Sequence, residues 1–152
     1  FLKDNEIDTT YLTNKEEQLL DVFINWWNEL KKQHKVKIID IEKPVLNKTD
    51  KYVGTIDLVI SIDNEIWIID VKTSNYISST FALQLSAYKH AYIQTIQTIN
   101  NVTSEGIMIY PKLGVFHLKT NTFHEVQDEF ETFLAVKTLF DYEQRISNSF
   151  RK

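Results

Sequence analysis

Two β-strands joined by a tight turn constrain this chain more than any other stretch. Tyr52–Ile62 and Glu65–Thr73 are rich in Ile and Val and meet at Asp63-Asn64. A hairpin centred on that dipeptide has a fixed register, because its strands pair symmetrically about the turn. Ile62 then faces Glu65, Ile60 faces Trp67, Asp57 faces Asp70 and Thr55 faces Lys72. Opposed residues share a face of the sheet, as do positions two apart on one strand. The register therefore predicts Asp57, Asp70 and Lys72 on a single face.

Such a cluster is unfavourable by itself. Two carboxylates about 5 Å apart repel by roughly 3 kcal/mol at an effective dielectric near 20. Protonation of one Asp, or a structural salt bridge from Lys72, would offset this. The flanking Ile56, Leu58, Ile60, Ile68, Ile69 and Val71 mark a central strand pair buried on both faces. Buried acids there need a partner, and a divalent cation is the simplest one. Hard cations such as Mg²⁺ take carboxylate oxygens and keep several waters.

At 152 residues the chain fits one domain with a sizeable core, read as a lead-in over 1–13 and a single domain over 14–152. The absence of cysteine excludes disulfides, thiolate zinc sites and an iron–sulfur cluster. No apolar run is long enough to cross a membrane and no signal-peptide pattern opens the chain, so the expected location is intracellular and cytoplasmic. A formal net charge of −4 gives no global basic footprint for nucleic acid, although a local basic patch can suffice.

Along the chain, Thr13 and Glu16 have the form of a capping box. The helix they open runs to about His34 with Leu19, Phe23, Trp26 (or Trp27) and Leu30 on one face. A basic run from Lys31 to Lys37 suits a helix C-terminus. Val36–Leu46 reads as a strand with Ile39, Ile41 and Val45 on one face and Glu42 on the other. Ser78 or Ser79 caps a second helix, about Thr80–Asn100, in which Phe81, Leu85, Tyr88, Tyr92 and Ile96 recur at helical spacing. Strands are expected at Gly106–Tyr110 and Val115–Thr120, joined by a turn at Pro111–Gly114. A last helix from about Glu125 shows an apolar stripe, Phe130, Phe133, Leu134 and Phe140, set against the sheet. His117 and His124 are read as non-catalytic.

Gly54-x-x-Asp57, then Asp70-x-Lys72-Thr73, then Gln84-x-x-x-Tyr88, on a strand-turn-strand-helix frame, resemble the PD-(D/E)XK nuclease superfamily. The closer likeness is to its RecB-type and phage or mitochondrial exonuclease branch, and it spans about Asn14 to Tyr110. It implies an α/β fold with a restriction-endonuclease-like core, a central mixed β-sheet flanked by helices. It further implies a metal-dependent DNA nuclease from a phage or bacterium, an exonuclease or single-strand-processing enzyme acting on single-stranded DNA or linear ends.

By the same resemblance, Asp57 and Asp70, with the Val71 carbonyl, ligate Mg²⁺ or Mn²⁺, and Lys72 orients the attacking water. Glu42 is either an accessory acid or, beside Lys43 at a strand end, simply solvated, and Gln84 sits beside the lysine or the nucleic-acid backbone. Tyr88 packs next to it, and Thr73 could bind phosphate. The competing readings are a catalytically weak or inactive binding module that keeps the fold, and a structural domain with a salt bridge. Relatives of the closer branch carry a helix with a Gly and a metal-binding His upstream of the matched region, and Phe1–Thr13 has neither. Either that helix was lost or it lies before Phe1 in a longer protein, and the resemblance thus predicts weak or no activity for this chain alone and an exposed apolar patch that self-association could cover.

Overall fold

The computed structural model describes residues 10–100 and 110–149, with residues 98–100 described in backbone only. Most of the lead-in and the expected strand from Gly106 to Ile109 lie outside the described residues.

Helix α1 (Asn14–Gln33) is followed by strands β1 (Val36–Asn47), β2 (Tyr52–Ile62) and β3 (Glu65–Lys72). Helix α2 (Thr80–Asn100), strands β4 (Lys112–His117) and β5 (Thr122–Val126), and helix α3 (Phe130–Ser149) complete the order. The five strands lie side by side in chain order. Only β3 and β4 are parallel; the other neighbours are antiparallel. The result is an α/β fold, a mixed sheet flanked by helices, consistent with a restriction-endonuclease-like core.

Local chemistry explains the elements. Thr13 and Glu16 form the expected capping box, with the Glu16 carboxylate accepting from the Thr13 N–H at 2.8 Å. Thr80 N–H donates to Ser78 Oγ at the start of α2, so Ser78 is the cap. Asp63 and Asn64 both adopt left-handed backbone, which turns the β2–β3 hairpin with the twist its strands require. The Asp63 carboxylate holds that turn to the end of α1, accepting from Lys35 N–H at 2.9 Å and meeting His34 Nδ1 at 2.6 Å.

Each sheet face carries one helix. Trp26, Trp27, Phe23 and Leu30 of α1 cover Leu58, Ile60, Trp67, Ile69 and Phe116. Trp26 and Trp27 both turn inward, and the Trp26 ring stacks on Phe116 at 4.2 Å. On the opposite face, Phe81, Leu85, Tyr88, Tyr92 and Ile96 of α2 cover Val45, Ile56, Val59, Ile68, Leu113 and Val115. The periodicity of α2 is as read from the sequence.

Four expectations need correction. Ile39 is the extra residue of a bulge in β1 and is exposed, while Ile41 joins the α1 face and Val45 the α2 face. Lys112–Gly114 are paired strand residues rather than a turn, and the reversal lies at Leu118–Asn121. Glu125 belongs to β5, and the last helix starts at Phe130. Finally, α3 packs on α2 rather than broadly on the sheet, and it buries none of its residues, because its nearest apolar neighbours are already covered by α2. An edge contact between Phe133 and Tyr52 is its reach to β2.

The α2–α3 junction is partly ionic. Asp128 meets Lys89 Nζ at 2.9 Å and His90 Nε2 at 3.2 Å, and the His90 ring lies flat on Phe130. Burial works to raise the Asp128 carboxyl, but Lys89 and His90 outweigh it and hold it below its ordinary 3.8. A depressed carboxyl stabilises the fold above its unfolded-state value, and that contribution is lost as pH falls through the folded-state value. Asp128→Asn should therefore be less stable than the parent at neutral pH, with the gap closing below about pH 4. Urea unfolding across a pH series checks this; a gap independent of pH would contradict it.

Candidate active site

The site forms where the β2–β3 ladder stops. Pairing runs from Ile62↔Glu65 through Ile60↔Trp67, as the hairpin register predicts, and ends at Leu58↔Ile69. The expected continuation, Asp57 against Asp70 and Thr55 against Lys72, is not made as strand pairing; Thr55 pairs only with Pro44 of β1. One more hydrogen-bonded step would join Val71 to Ile56. Instead the Val71 N–H donates to Asp57 Oδ2 at 2.9 Å. A carboxylate has replaced a backbone carbonyl, and the strands part there.

A change of face explains how Asp57 reaches that gap. Strict alternation would put Ile56, Leu58 and Ile60 on one face. Leu58 and Ile60 do face α1, but Ile56 faces α2. Across from Asp57, Glu42 has a left-handed backbone (φ 49°), and β1 changes face there too, between Ile41 and Val45. Asp57 sits at the switch and directs its carboxylate sideways into the gap.

Asp70 and Lys72 lie on the α2 side of β3. Asp70 is only 3% exposed. Its Oδ2 lies 2.7 Å from Lys72 Nζ, a close ion pair. Among the described residues, no group besides that ammonium partners this oxygen. Burial raises the Asp70 carboxyl above its ordinary value, Lys72 opposes the rise, and the charge of Asp57 adds to it.

Helix α2 fixes the lysine. Lys72 Nζ donates to Gln84 Oε1 at 2.9 Å, and the ammonium stands 5.0 Å over the Phe81 ring. An ammonium only donates, so the amide oxygen must face it. Gln84 Nε2 then donates to the Tyr88 hydroxyl at 2.8 Å. Tyr88 lies against Gly54, where an added Cβ would come within 2.4 Å of its ring. Gly54 is thus a seat for Tyr88, not merely a turn residue.

The structure brings Asp57, Asp70, Val71, Lys72, Gln84 and Tyr88 into one connected set. Glu42 stays outside it, exposed, and no group of three or more Asp, Glu, His or Cys fit for a cation exists among the described residues. Thr73 is exposed just beyond β3. His117 is buried and holds the Ser74 carbonyl with Nε2 at 2.9 Å and Thr120 with Nδ1 at 2.7 Å. Phe81 was legible only as a core position, although its place three residues before Gln84 puts both on one helix face.

A family model of the PD-(D/E)XK nuclease superfamily matches residues 2–146. The chain belongs to that superfamily. A search of the curated proteins finds no match. Membership implies nuclease activity on a nucleic-acid substrate, and PD-(D/E)XK nucleases generally use divalent metals such as Mg²⁺. No helix among the described residues is long and apolar enough to cross a membrane.

The residues fit such a cation. The buried Asp70 carboxylate, held near the Lys72 ammonium, and the Asp57 carboxylate are hard oxygen donors, as Mg²⁺ requires. The Val71 carbonyl lies on the same side of β3 as its N–H, the side of the gap. With few protein donors, the remaining positions fall to water and substrate oxygens.

Gly54→Ala in this PD-(D/E)XK chain should cost about 1–3 kcal/mol through overpacking against Tyr88. Tyr88→Ala should cost about 2–3 kcal/mol, below the range for a fully buried aromatic, because the ring is only partly buried. Denaturant unfolding of both and of the double variant should show the pair costing less than the sum, since removing the ring makes room for the methyl. Strict additivity would contradict the seat.

Proposed function

We propose that this nuclease is a Mg²⁺- or Mn²⁺-dependent deoxyribonuclease of the RecB-type, phage and mitochondrial exonuclease-like branch, acting on single strands or linear ends. The observation that carries the reading is the buried carboxylate of Asp70, set beside a second carboxylate and paired with a tethered lysine. The order of Gly54-x-x-Asp57, Asp70-x-Lys72 and Gln84-x-x-x-Tyr88 supports the choice of branch.

In this reading Asp57, Asp70 and the Val71 carbonyl hold the cation. When bound, the cation acidifies a water and polarises the phosphoryl oxygens. Lys72 orients that water and offsets the charge that develops on the phosphate. Gln84 holds the ammonium toward the acids, and Tyr88 holds Gln84. Thr73, exposed at the strand end, is placed to meet a phosphate oxygen. Glu42 has no role in this arrangement.

The Lys72–Asp70 ion pair favours a second reading, a non-catalytic binding module in which the pair is structural. The two diverge on metal and on lysine. In the nuclease, saturating Mg²⁺ or Mn²⁺ raises the melting temperature; at 100 times Kd the gain is about 2.7 kcal/mol. Asp57→Asn or Asp70→Asn abolishes that rise and relieves repulsion in the metal-free protein. A melting temperature indifferent to metal would sink the nuclease reading.

Lys72→Ala should lower cleavage of linear DNA by about 10²–10⁴-fold while leaving metal-dependent DNA binding in place. Gln84→Ala should lower cleavage with little change in unfolding free energy, because no core volume is lost. Normal cleavage by folded Lys72→Ala protein would rule out the lysine's assigned role.

A further inference from the structure

The loop between β3 and α2 presents Tyr76 in a way that folding alone does not require. It leaves the sheet at Lys72 and returns at Phe81, whose ring lies under the Lys72 ammonium. Both ends of the loop therefore meet at the lysine of the proposed site. Tyr76 is four residues from Lys72, so its Cα lies within about 14 Å of that of Lys72 by chain length alone.

The backbone leading into the ring is pinned. Buried His117 holds the Ser74 carbonyl at 2.9 Å, Lys119 holds the Asn75 side chain, and Ser74 Oγ donates to the Tyr76 carbonyl at 2.7 Å. The Tyr76 ring itself is 71% exposed, with Ile77 half-exposed beside it. A single exposed aromatic is ordinary on a protein surface. An aromatic held in water by a tethered loop closed on a phosphodiester-cleaving site is a preformed stacking platform. Its ordering cost is met before a ligand arrives.

We infer that Tyr76 stacks on a base of the substrate strand and positions the neighbouring phosphate over Asp57, Asp70 and Lys72. The inference rests on the nucleic-acid-cleaving reading above. Stacking is tolerant of sequence, since every base offers a π-face, and it suits an unpaired strand better than a closed duplex. Tyr76 is thereby a substrate-positioning residue, and buried His117 supports it through the loop.

The test uses a single-stranded oligonucleotide carrying 2-aminopurine and hydrolysis-resistant phosphorothioate linkages, titrated in Mg²⁺ with the full chain. Parent protein and Tyr76→Phe should bind alike and change the 2-aminopurine fluorescence on stacking. Tyr76→Ala should lose that change and bind roughly 5- to 100-fold more weakly. Its melting temperature should match the parent's, because the ring is exposed. If Tyr76→Ala binds and stacks as the parent does, while the parent cleaves an ordinary strand, this inference fails and the nuclease reading stands. If the parent neither binds nor cleaves any strand in Mg²⁺ or Mn²⁺, both fail together.

Discussion

The architecture around the open end of the sheet depends on one electrostatic problem, the second carboxylate oxygen of Asp70. That oxygen is buried with the Lys72 ammonium as its partner among the described residues, and the nearby Asp57 repels it. Buried like charges are unfavourable unless they are paired. Three local adjustments limit it here. The strands part, so that Asp57 can spend one oxygen on the Val71 N–H; Lys72 approaches from the same face; and α2 supplies an amide that keeps the ammonium in place. Of these, only Lys72 brings a positive charge. The fold keeps two carboxylates together at a point where the superfamily's chemistry calls for oxygen ligands.

The two faces of the sheet divide the labour of supporting that point. On the α1 side, the Trp26–Phe116 stack sits among Phe23, Trp27 and Trp67, an apolar layer with the bulk to hold β3 and β4 rigidly. On the α2 side, the same packing principle admits polar groups along one line, Lys72, Gln84 and the Tyr88 hydroxyl, while Leu85, Ala91 and Tyr92 close the core behind them. Tyr52 adds a fixed point, with its hydroxyl donating to the Ala87 carbonyl and accepting from Asn47. Burial lifts that phenol to about 12, so it stays a donor across the physiological range. The helix that positions the lysine is thus itself anchored to the hairpin that carries the acids.

Much of this was legible in the residues. Asp63-Asn64 dictated a hairpin whose first pairs are those its symmetry requires. The capping box at Thr13 and the spacing of Phe81, Leu85, Tyr88 and Tyr92 identified their helices. Ile56 concealed what came next: an apolar residue suits either face, so a switch between Ile56 and Leu58 leaves no mark in the pattern. Ile39 hid a bulge for the same reason. The strand expected at Val115–Thr120 was placed too late because Pro111 and Gly114 resemble turn residues, yet Pro111 only precedes β4, and Gly114 lies inside it where the Phe123 ring crosses too closely for a Cβ. Glu42 fitted either an accessory acid of the resembled family or a solvated strand end, and it is exposed, with a left-handed backbone that sets it apart.

The peripheral seating of α3 has a consequence for how the molecule breathes. Among the described residues its ties to the body are few: the Glu129 N–H donating to buried Ser86, the His90–Phe130 stack, the Asp128 ion pairs and the Phe133–Tyr52 edge contact. Opening α3 exposes little apolar surface, whereas opening the sheet or α2 exposes the whole core. The amide protons of α3 should therefore exchange with solvent through a low-cost local excursion, while those of β2, β3 and α2 wait for global unfolding. The molecule is in this sense a two-tier solid, with a stiff tier that includes the acids and the lysine and a looser helix attached to its outer wall.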